Sequence, residues 1–319
     1  MNTIFYNDVY IKNKYSVIHN QYNPITLSKA DYVVNKFYYK NKSVEETESY
    51  YQSLSIKGLI NKEKIKKADL FIASDLQNQL CASSFNACKN NIAFLGIYSA
   101  CSSFAEGLII AASFMNHYKN IIVAVSSHNL VNEKQFRFPI EYGAVRKKIN
   151  SHSSTGAVSC LISKEGKLKI ECTTIGKAVD SLVKDANNMG SAMAKGVVDT
   201  LHTHLMDTKR NASYYDLILI GDCGKYGLEV IKDYYISKYD VSLDNIEDAG
   251  YLLFSNNKKF KYAGGSGPVC QPFILFDYIN TKKYKKILLI SSGSLHSCTS
   301  CNLNKTIPVI SHAISLEVQ

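Results

Sequence analysis

The chain has 319 residues, of which 46% are hydrophobic and 20% charged, and its formal net charge is +10 at pH 7. This composition is typical of a globular protein with enough core for two domains, and no apolar run approaches the roughly 20 residues that cross a bilayer. The first residues lack the basic and apolar pattern of a signal peptide, so we expect a soluble intracellular chain. The positive charge is mostly scattered lysine without a nucleic-acid-binding motif, and we expect no nucleic-acid partner.

The first half alternates between helices and buried strands after a polar, tyrosine-rich opening of 45 residues in which the spacing predicts no element. Apolar spacing predicts a helix over 45–67, a strand ending at Asp75, a helix over 77–88, a strand over 94–98, a helix over 102–115 and a strand ending at Ser126 and Ser127. Residues 128–153 show no sustained period and are predicted as a long loop, which in a compact protein is usually functional. Two strands, over 155–163 and 167–175, follow this loop.

The second half repeats this plan after a connector over 176–190 and a helix over 191–206. The strand YYDLILIGD ends at Asp222, just as the first-half strand LFIASD ends at Asp75. A glycine-rich turn, an apolar helix and a further strand then follow, in the same order as in the first half.

The spacing of the two halves also agrees. The interval from Cys101 to Ser126 is 25 residues, and so is the interval from Ser266 to Ser291. The last strand, IPVISHAISLE, matches TGAVSCLIS of the first half. We infer an internal duplication of a strand, turn, helix, strand, strand unit.

Alternating helices and continuously apolar strands predict an α/β fold of mostly parallel sheets that helices cover on both faces. Two βαβαβ-type halves, residues 1–175 and 176–319, are expected to pack as five layers, with the helix after Cys101 and its counterpart near the middle. Ligands of such sheets bind beyond the carboxyl ends of strands. The residues predicted at those ends are Asp75, Cys101, Ser126, Asp222 and Ser291.

Cys101 is predicted at the N-terminus of the helix over 102–115. Unpaired N–H groups and the helix dipole favour an anion there, either a thiolate or a ligand carboxylate. The alternative is a buried structural cysteine, since free cysteine often behaves as a small apolar residue.

Nine cysteines at irregular spacing do not form a disulfide framework, and they indicate a reducing compartment. Cys298 and Cys301 form one C-x-x-C with His296 and His312 nearby, which raises the possibility of a zinc site or a redox pair. A single C-x-x-C without a second pair is a weak sign of either, so no metal site is predicted.

Several stretches of the chain match the motifs of one protein family. They are SDLQNQ at 74–79, ACSS at 100–103, SSHN at 126–129, KQFRFPIEYG at 134–143, NMGSAMA at 188–194, DLILIGD at 216–222, AGGSG at 263–267 and PVISHA at 308–313. On these motifs, and over nearly its whole length, the chain resembles the stage V sporulation protein AD family. That family belongs to the thiolase-like superfamily, as a non-catalytic relative of thiolases and ketoacyl synthases.

The resemblance implies binding of dipicolinic acid, alone or as its calcium chelate, in a degenerate condensing-enzyme pocket. It further implies uptake of this ligand into the developing spore and its release at germination, in a complex with membrane proteins of the same operon. The chain would be made in the forespore cytoplasm and associate peripherally with the inner spore membrane. We expect no cofactor except calcium brought by the ligand, and a homodimer is possible through the strand over 121–126.

The groups that would activate Cys101 are missing from the positions at which they are expected. A condensing enzyme needs a histidine and a second histidine or an asparagine from the second half. The expected positions are occupied by Asp222 and by Ser266 within a glycine-rich turn, and an aspartate near a thiol raises the thiol pKa. We therefore expect a binding protein, with an active acyltransferase that uses Cys101 or a purely structural subunit as the alternatives.

Dipicolinate is a flat aromatic ring with two carboxylates, so its site needs N–H donors, a cation and an apolar surface. The helix N-terminus at Cys101 would supply donors, and Ser266 on the glycine-rich turn is a further candidate. The resemblance brings His312 to the pocket, where it could add a proton, or it could be a structural or surface histidine instead. Arg137 could bind a carboxylate bidentately, or pair with a nearby glutamate instead.

Asp75 and Asp222 could coordinate calcium held by the ligand, or they could close strand ends by hydrogen-bonding loop amides. The remaining histidines are predicted to be structural or exposed. They are His19, His117, His128, His152, His202, His204 and His296.

Overall fold

The computed structural model describes residues 1–21, 30–40, 42–136, 147–255, 257–258 and 260–319. In the first half the strands are β1 (Thr3–Phe5), β2 (Tyr10–His19), β3 (Tyr32–Val34), β4 (Leu70–Ser74), β5 (Phe94–Gly96), β6 (Ile121–Ser127), β7 (His152–Ser153), β8 (Gly156–Ser163) and β9 (Leu168–Thr174). The helices are α1 (Val44–Glu63), α2 (Cys81–Asn90), α3 (Ser103–Phe114) and α4 (Asn129–Phe136).

The second half contains a similar series. Its strands are β10 (Val179–Asp180), β11 (Leu217–Ile220), β12 (Ile246–Asp248), β13 (Gly265–Ser266), β14 (Lys286–Ser294) and β15 (Pro308–Val318). Its helices are α5 (Met189–Thr208), α6 (Gly224–Tyr239), α7 (Ala249–Phe254), α8 (Cys270–Thr281) and α9 (Cys298–Asn302). None of the helices described in either half is both long enough and apolar enough to cross a bilayer.

The main sheet has the order β12-β11-β14-β15-β9-β2-β8-β6-β4-β5. Equivalent strands of the two halves take the same place when the sheet is counted inwards from its two edges. In each half the outer three strands are parallel, and the inner strands are antiparallel. The prediction of mostly parallel sheets is therefore right only for the outer strands. The symmetrical order is the structural form of the duplication inferred from the sequence.

The layers follow from the alternation of side chains along each strand. One face of the strands packs on α3 and α8 in a central core that includes Ile72, Val123, Leu219 and Leu289. The alternate residues of the first half, such as Phe71 and Ile122, form a separate core, and α1 supplies Ile56 and Leu59 to it. Those of the second half, such as Ile218 and Ile290, pack with α5 and α6. The predicted five-layered α/β fold is thus confirmed, while the division at residue 175 stays a prediction.

The sequence reasoning missed β2, which lies in the middle of the sheet between β8 and β9. Its polar residues hid it, because a central strand is expected to be apolar throughout. Lys14 is buried in β2, where its ammonium group pairs with Asp31 at 2.6 Å and with the Ser16 hydroxyl at 2.9 Å. These partners offset the cost of burying the charge.

The structure also corrects the interface proposed for a homodimer. The strand over 121–126 is part of β6, all seven residues of β6 are buried, and it pairs with β4 on one side and β8 on the other. A strand paired on both sides has no free edge to offer to a second copy. The homodimer itself stays a prediction.

Candidate ligand-binding pocket

Cys101 lies in a tight turn between β5 and α3. The turn is a 3₁₀ helix over Ala100–Ser102, and α3 begins directly after it. Ala100 has a φ of +52°, a left-handed conformation that is uncommon for alanine. The side chain of Ser103 secures the turn by donating to the Ala100 carbonyl at 2.8 Å and accepting from the Ser99 N–H at 3.1 Å.

A glycine of the second half allows this turn to lie against β14. A Cβ atom on Gly293 would stand 2.2 Å from the Ser99 carbonyl oxygen. Any side chain at this position would push the turn away from the strand. Close contact between the halves at Cys101 therefore depends on Gly293.

A cavity of about 40 Å³ opens beside Cys101, and the space reaches about 460 Å³ when the open region at its mouth is included. Its walls come from strand ends and loops of both halves. They are formed by Leu76, Tyr98, Ala100, Cys101, Asn132, Phe136, Ser151, Ser153, Met189, Met193, Asp222, Ser266, Ser294 and His296. Among these described wall residues Asp222 is the one carboxylate, and none is a lysine or an arginine.

Asp222 is the group that acts most strongly on the Cys101 thiol, after burial. Burial raises the pKa of the thiol well above its ordinary value, and the charge and hydrogen bonding of Asp222 raise this pKa further. Burial also raises the pKa of the Asp222 carboxyl to about 6, although Cys101, the Gly267 N–H and Ser292 act to lower it. At neutral pH the thiol is protonated and is therefore a poor nucleophile.

Two wall residues present polar atoms that make no hydrogen bond of normal geometry with the described residues. Asn132 is 3% exposed, and neither its Oδ1 nor its Nδ2 makes a hydrogen bond there. Asp222 accepts from the Gly267 N–H at 3.0 Å through Oδ2, whereas its buried Oδ1 receives no hydrogen bond of normal geometry. Buried polar groups are rarely left unsatisfied. Both residues line the cavity, so a polar ligand could satisfy them.

The structure brings together three of the six residues singled out from the sequence. Cys101, Asp222 and Ser266 line the cavity. Asp75 is buried away from it, where its carboxylate accepts the N–H groups of Gln77 at 3.0 Å and Ser83 at 2.8 Å. Asp75 therefore closes the strand end by hydrogen-bonding backbone amides, which is one of the two roles that the sequence allowed.

The other two residues do not line the cavity as described. His312 lies on β15 opposite Ser291 of β14, and its Nδ1 accepts the N–H of Gly176 at 3.2 Å. Burial lowers the pKa of His312 to about 4, so its ring is neutral. Arg137 lies outside the described residues. The proposed ligand contacts of both residues stay predictions.

Sequence reasoning missed two parts of the wall. Residues 128–153 were predicted as a loop, but they contain α4, which carries Asn132 and Phe136. His296 was predicted to be structural or exposed, yet it lines the cavity. The signal for His296 was its place two residues beyond the end of β14, because loops after strand ends form the sites of such sheets.

His296 is held in place on both sides. Its Nδ1 lies 3.2 Å from the Ser294 hydroxyl, and its ring packs against Phe136 with 5.6 Å between centroids. Burial lowers the pKa of this histidine, against opposing effects from Ser294 and the Phe136 backbone. Within the described ranges no three His, Cys, Asp or Glu side chains are placed to hold a metal ion.

Comparison with solved structures places this pocket in a known fold. The 3-oxoacyl-[acyl-carrier-protein] synthase III of Aquifex aeolicus VF5 matches with a TM-score of 0.61 and 14% identity, over 97% of this chain and 99% of that chain. A variant of OleA from Xanthomonas campestris, solved with bound lauric acid and lauroyl-CoA, matches with a TM-score of 0.63 and 11% identity, over 98% of this chain and 99% of that chain. These likenesses confirm the thiolase-like fold.

Sequence comparison identifies the family. The model of the stage V sporulation protein AD family matches residues 2–317. Stage V sporulation protein AD of Bacillus subtilis strain 168 is 31% identical over 300 residues, which cover 91% of this chain and 88% of that protein. The chain therefore belongs to the stage V sporulation protein AD family.

Proposed function

We propose that this protein binds dipicolinic acid, alone or as its calcium chelate, in the cavity beside Cys101, and so supports its uptake into the developing spore and its release at germination. One observation carries the proposal: the cavity retains the cysteine of a condensing-enzyme fold but sets a carboxylate, Asp222, beside it. Such a pair supports binding better than nucleophilic chemistry.

The electrostatics of the thiol argue against catalysis. Besides burial and Asp222, the groups that influence the thiol are Cys270 and the Gly267 backbone, and none of these is an imidazole. The imidazole in the wall, His296, is engaged with Ser294 and the Phe136 backbone. A thiolate at Cys101 would need a positive or proton-accepting neighbour, and Asp222 has the opposite effect on the thiol pKa.

The walls match a flat ring that carries polar groups at its edge. Apolar contacts would come from Leu76, Phe136, Met189 and Met193. Hydroxyl and amide donors for the carboxylates stand between them, on Asn132 and on the four wall serines, which are Ser151, Ser153, Ser266 and Ser294. A largely apolar cavity with a few placed polar groups is the usual form of a small-molecule site.

The charge of the walls supports a role for calcium. The ligand dianion would meet the Asp222 carboxylate, and among the described wall residues no lysine or arginine offsets the repulsion. A calcium chelate of the dianion is neutral, and calcium prefers oxygen ligands such as Oδ1 of Asp222, which receives no hydrogen bond of normal geometry. Arg137 is the competing candidate for the missing positive charge. We therefore expect calcium to strengthen binding through Asp222.

We also propose that the protein works with membrane proteins of the same operon, at the inner spore membrane and after synthesis in the forespore cytoplasm. This part rests on membership of the family. Pull-down from forespore membranes by a tagged chain tests it, and recovery of the chain with none of those membrane proteins would contradict it.

Calorimetric titration with dipicolinate, with and without calcium, tests the binding role. We expect saturable binding by the wild type and by Cys101→Ala, because the thiol is not needed as a nucleophile. Cys101→Phe should abolish binding by filling the cavity. No detectable heat for the wild type, in either condition, would refute the proposal.

Variants at charged and imidazole positions refine the result. Asp222→Asn should remove the calcium effect, whereas Asp75→Asn, at the equivalent strand end but away from the cavity, should retain it. His296→Ala should weaken binding. The sequence-based prediction that His312→Ala also weakens binding is tested alongside, and equal affinity would remove His312 from the site.

Incubation with an acyl-coenzyme A distinguishes the binding role from an active acyltransferase. Mass spectrometry should find no acyl group on Cys101. Rapid and stoichiometric acylation of Cys101 would establish the acyltransferase instead.

A further inference from the structure

Two cysteines outside the cavity wall have no role in the proposed function. Cys298 and Cys301 lie on α9, a five-residue helix that begins two residues after His296. Cys298 is exposed, Cys301 is half-buried, and neither forms a disulfide. The Cys298 thiol lies 3.8 Å from the Gln135 carbonyl, next to Phe136 in the cavity wall.

The helix sets these two thiols close to one another. Residues three apart on a helix have Cα atoms about 5 Å apart, which is within the range that a disulfide bridges. Burial raises the pKa of the Cys301 thiol, and the charge of Cys298 raises it further, so the two groups interact electrostatically. Ser297 and Ser300 hold the first turn by reciprocal hydrogen bonds of 3.2 and 2.8 Å.

Other cysteines provide a contrast. Cys81 and Cys88 share helix α2 and both have exposed surface. They are seven residues apart, which separates them by about 10 Å along the helix axis and prevents a bridge. Cys160, Cys172, Cys223 and Cys270 are buried.

We propose that Cys298 and Cys301 are a reversible thiol–disulfide site that a low-molecular-weight disulfide oxidises. The Cys298 thiolate attacks one sulfur of the reagent, forms a mixed disulfide and releases the first small thiol. Cys301 then loses its proton, attacks the Cys298 sulfur and displaces the second small thiol. The protein loses two hydrogens, and the reagent is reduced to two thiols. In a reducing compartment the pair rests as thiols, as expected of a reversible site.

Peptide mapping after treatment with oxidised glutathione tests the proposal. Trypsin releases residues 287–305 as one peptide that contains Cys298 and Cys301 and no other cysteine. In the wild type this peptide should lose two hydrogens and resist iodoacetamide, and dithiothreitol should restore its alkylation. The Cys88→Ser variant should behave identically.

The Cys301→Ser variant tests the order of the two steps. Without the second thiol, glutathione should stay attached to Cys298. A stable glutathione adduct on wild-type Cys298 would overturn the proposal, and so would full alkylation of both cysteines after oxidation.

Discussion

Asp75 and Asp222 occupy equivalent strand ends in the two halves, and both are buried, but their surroundings differ. Both oxygens of Asp75 accept backbone N–H groups, from Gln77 and Ser83. Asp222 lines the cavity and accepts one backbone N–H, from Gly267, while its buried Oδ1 receives no hydrogen bond of normal geometry. One carboxylate closes a loop, and the other is left available to a ligand.

The length of the connection explains this difference. Cys81, the first residue of α2, comes six residues after Asp75, and the chain between folds back so that the N–H groups of Gln77 and of Ser83 in α2 reach the carboxylate. In the second half α6 begins at Gly224, two residues after Asp222, so no comparable turn exists. A duplicated motif therefore produces a structural residue in one half and a candidate binding residue in the other.

The largest expected effect is on stability. Asp75→Ala should lower the free energy of unfolding by about 3 kcal/mol, because it leaves two buried N–H groups without an acceptor. Asp222→Ala should cost about 1 kcal/mol or less, since it frees one N–H but also removes a buried carboxylate. Urea denaturation of the two variants measures both values. Equal losses would contradict the contrast between the two aspartates.

The pH dependence of stability tests the buried neighbour of each aspartate, and burial raises the pKa of Asp248, beside Asp222, to about 8 as well. Asp75 has a buried neighbour, Glu48, whose carboxyl pKa is raised to about 8, by burial first and then by Asp75. Because the folded-state pKa of Glu48 lies above its unfolded value, the stability linked to this carboxyl is present in acid and is lost as the pH rises towards 8. Glu48→Gln should abolish the loss of stability that this carboxyl causes between pH 5 and 8.

Urea denaturation at several pH values measures this change, with Asp222→Asn as the control. Asp222 has a pKa of about 6, so its own loss of stability falls in a lower window, between about pH 4 and 6. An unchanged pH profile in Glu48→Gln would show that Glu48 does not titrate in this range.

A smaller effect is expected on the reactivity of Cys101. Asp222→Asn removes a charge that raises the thiol pKa, so alkylation by iodoacetamide should accelerate by about tenfold or less. Asp75→Asn should leave the rate unchanged. Measurement uses the tryptic peptide that contains Cys101. Equal alkylation rates in both variants would show that the charge of Asp222 does not affect the Cys101 thiol.

The smallest effect concerns the backbone of the two central turns. The second half places Gly267, with a φ of +111°, where the chain turns towards α8, while the first half places Ala100 in a left-handed conformation. Ala100→Gly should relieve this strain and raise the free energy of unfolding by about 0.5–1 kcal/mol. Thermal unfolding measures the change, and a loss of stability would show that the alanine side chain contributes packing that outweighs the strain.

Much of the fold was predictable because its signals are periodic. The buried strands, the helix after Cys101 and the equal spacing of the two halves all depend on local apolar patterns. The central strand β2 was not predictable, because Lys14 is made acceptable there by Asp31, which is distant in sequence. Tertiary pairing of this kind leaves no periodic signal.

The site was predictable only where the duplication placed it. Cys101, Asp222 and Ser266 were found from strand ends and glycine-rich turns, and they line the cavity. Asp75 carried the same signal, but the turn that follows it satisfies its carboxylate. Asn132 was missed because the short helix that carries it has almost no amphipathic pattern.

A crystal structure of the protein soaked with dipicolinate and calcium tests the central claim most directly. We predict density for the ligand in the cavity between Cys101, Asn132 and Asp222, with calcium on Oδ1 of Asp222 and no covalent bond to the Cys101 sulfur. An unoccupied cavity at saturating ligand, or a ligand bound elsewhere on the protein, would contradict the account.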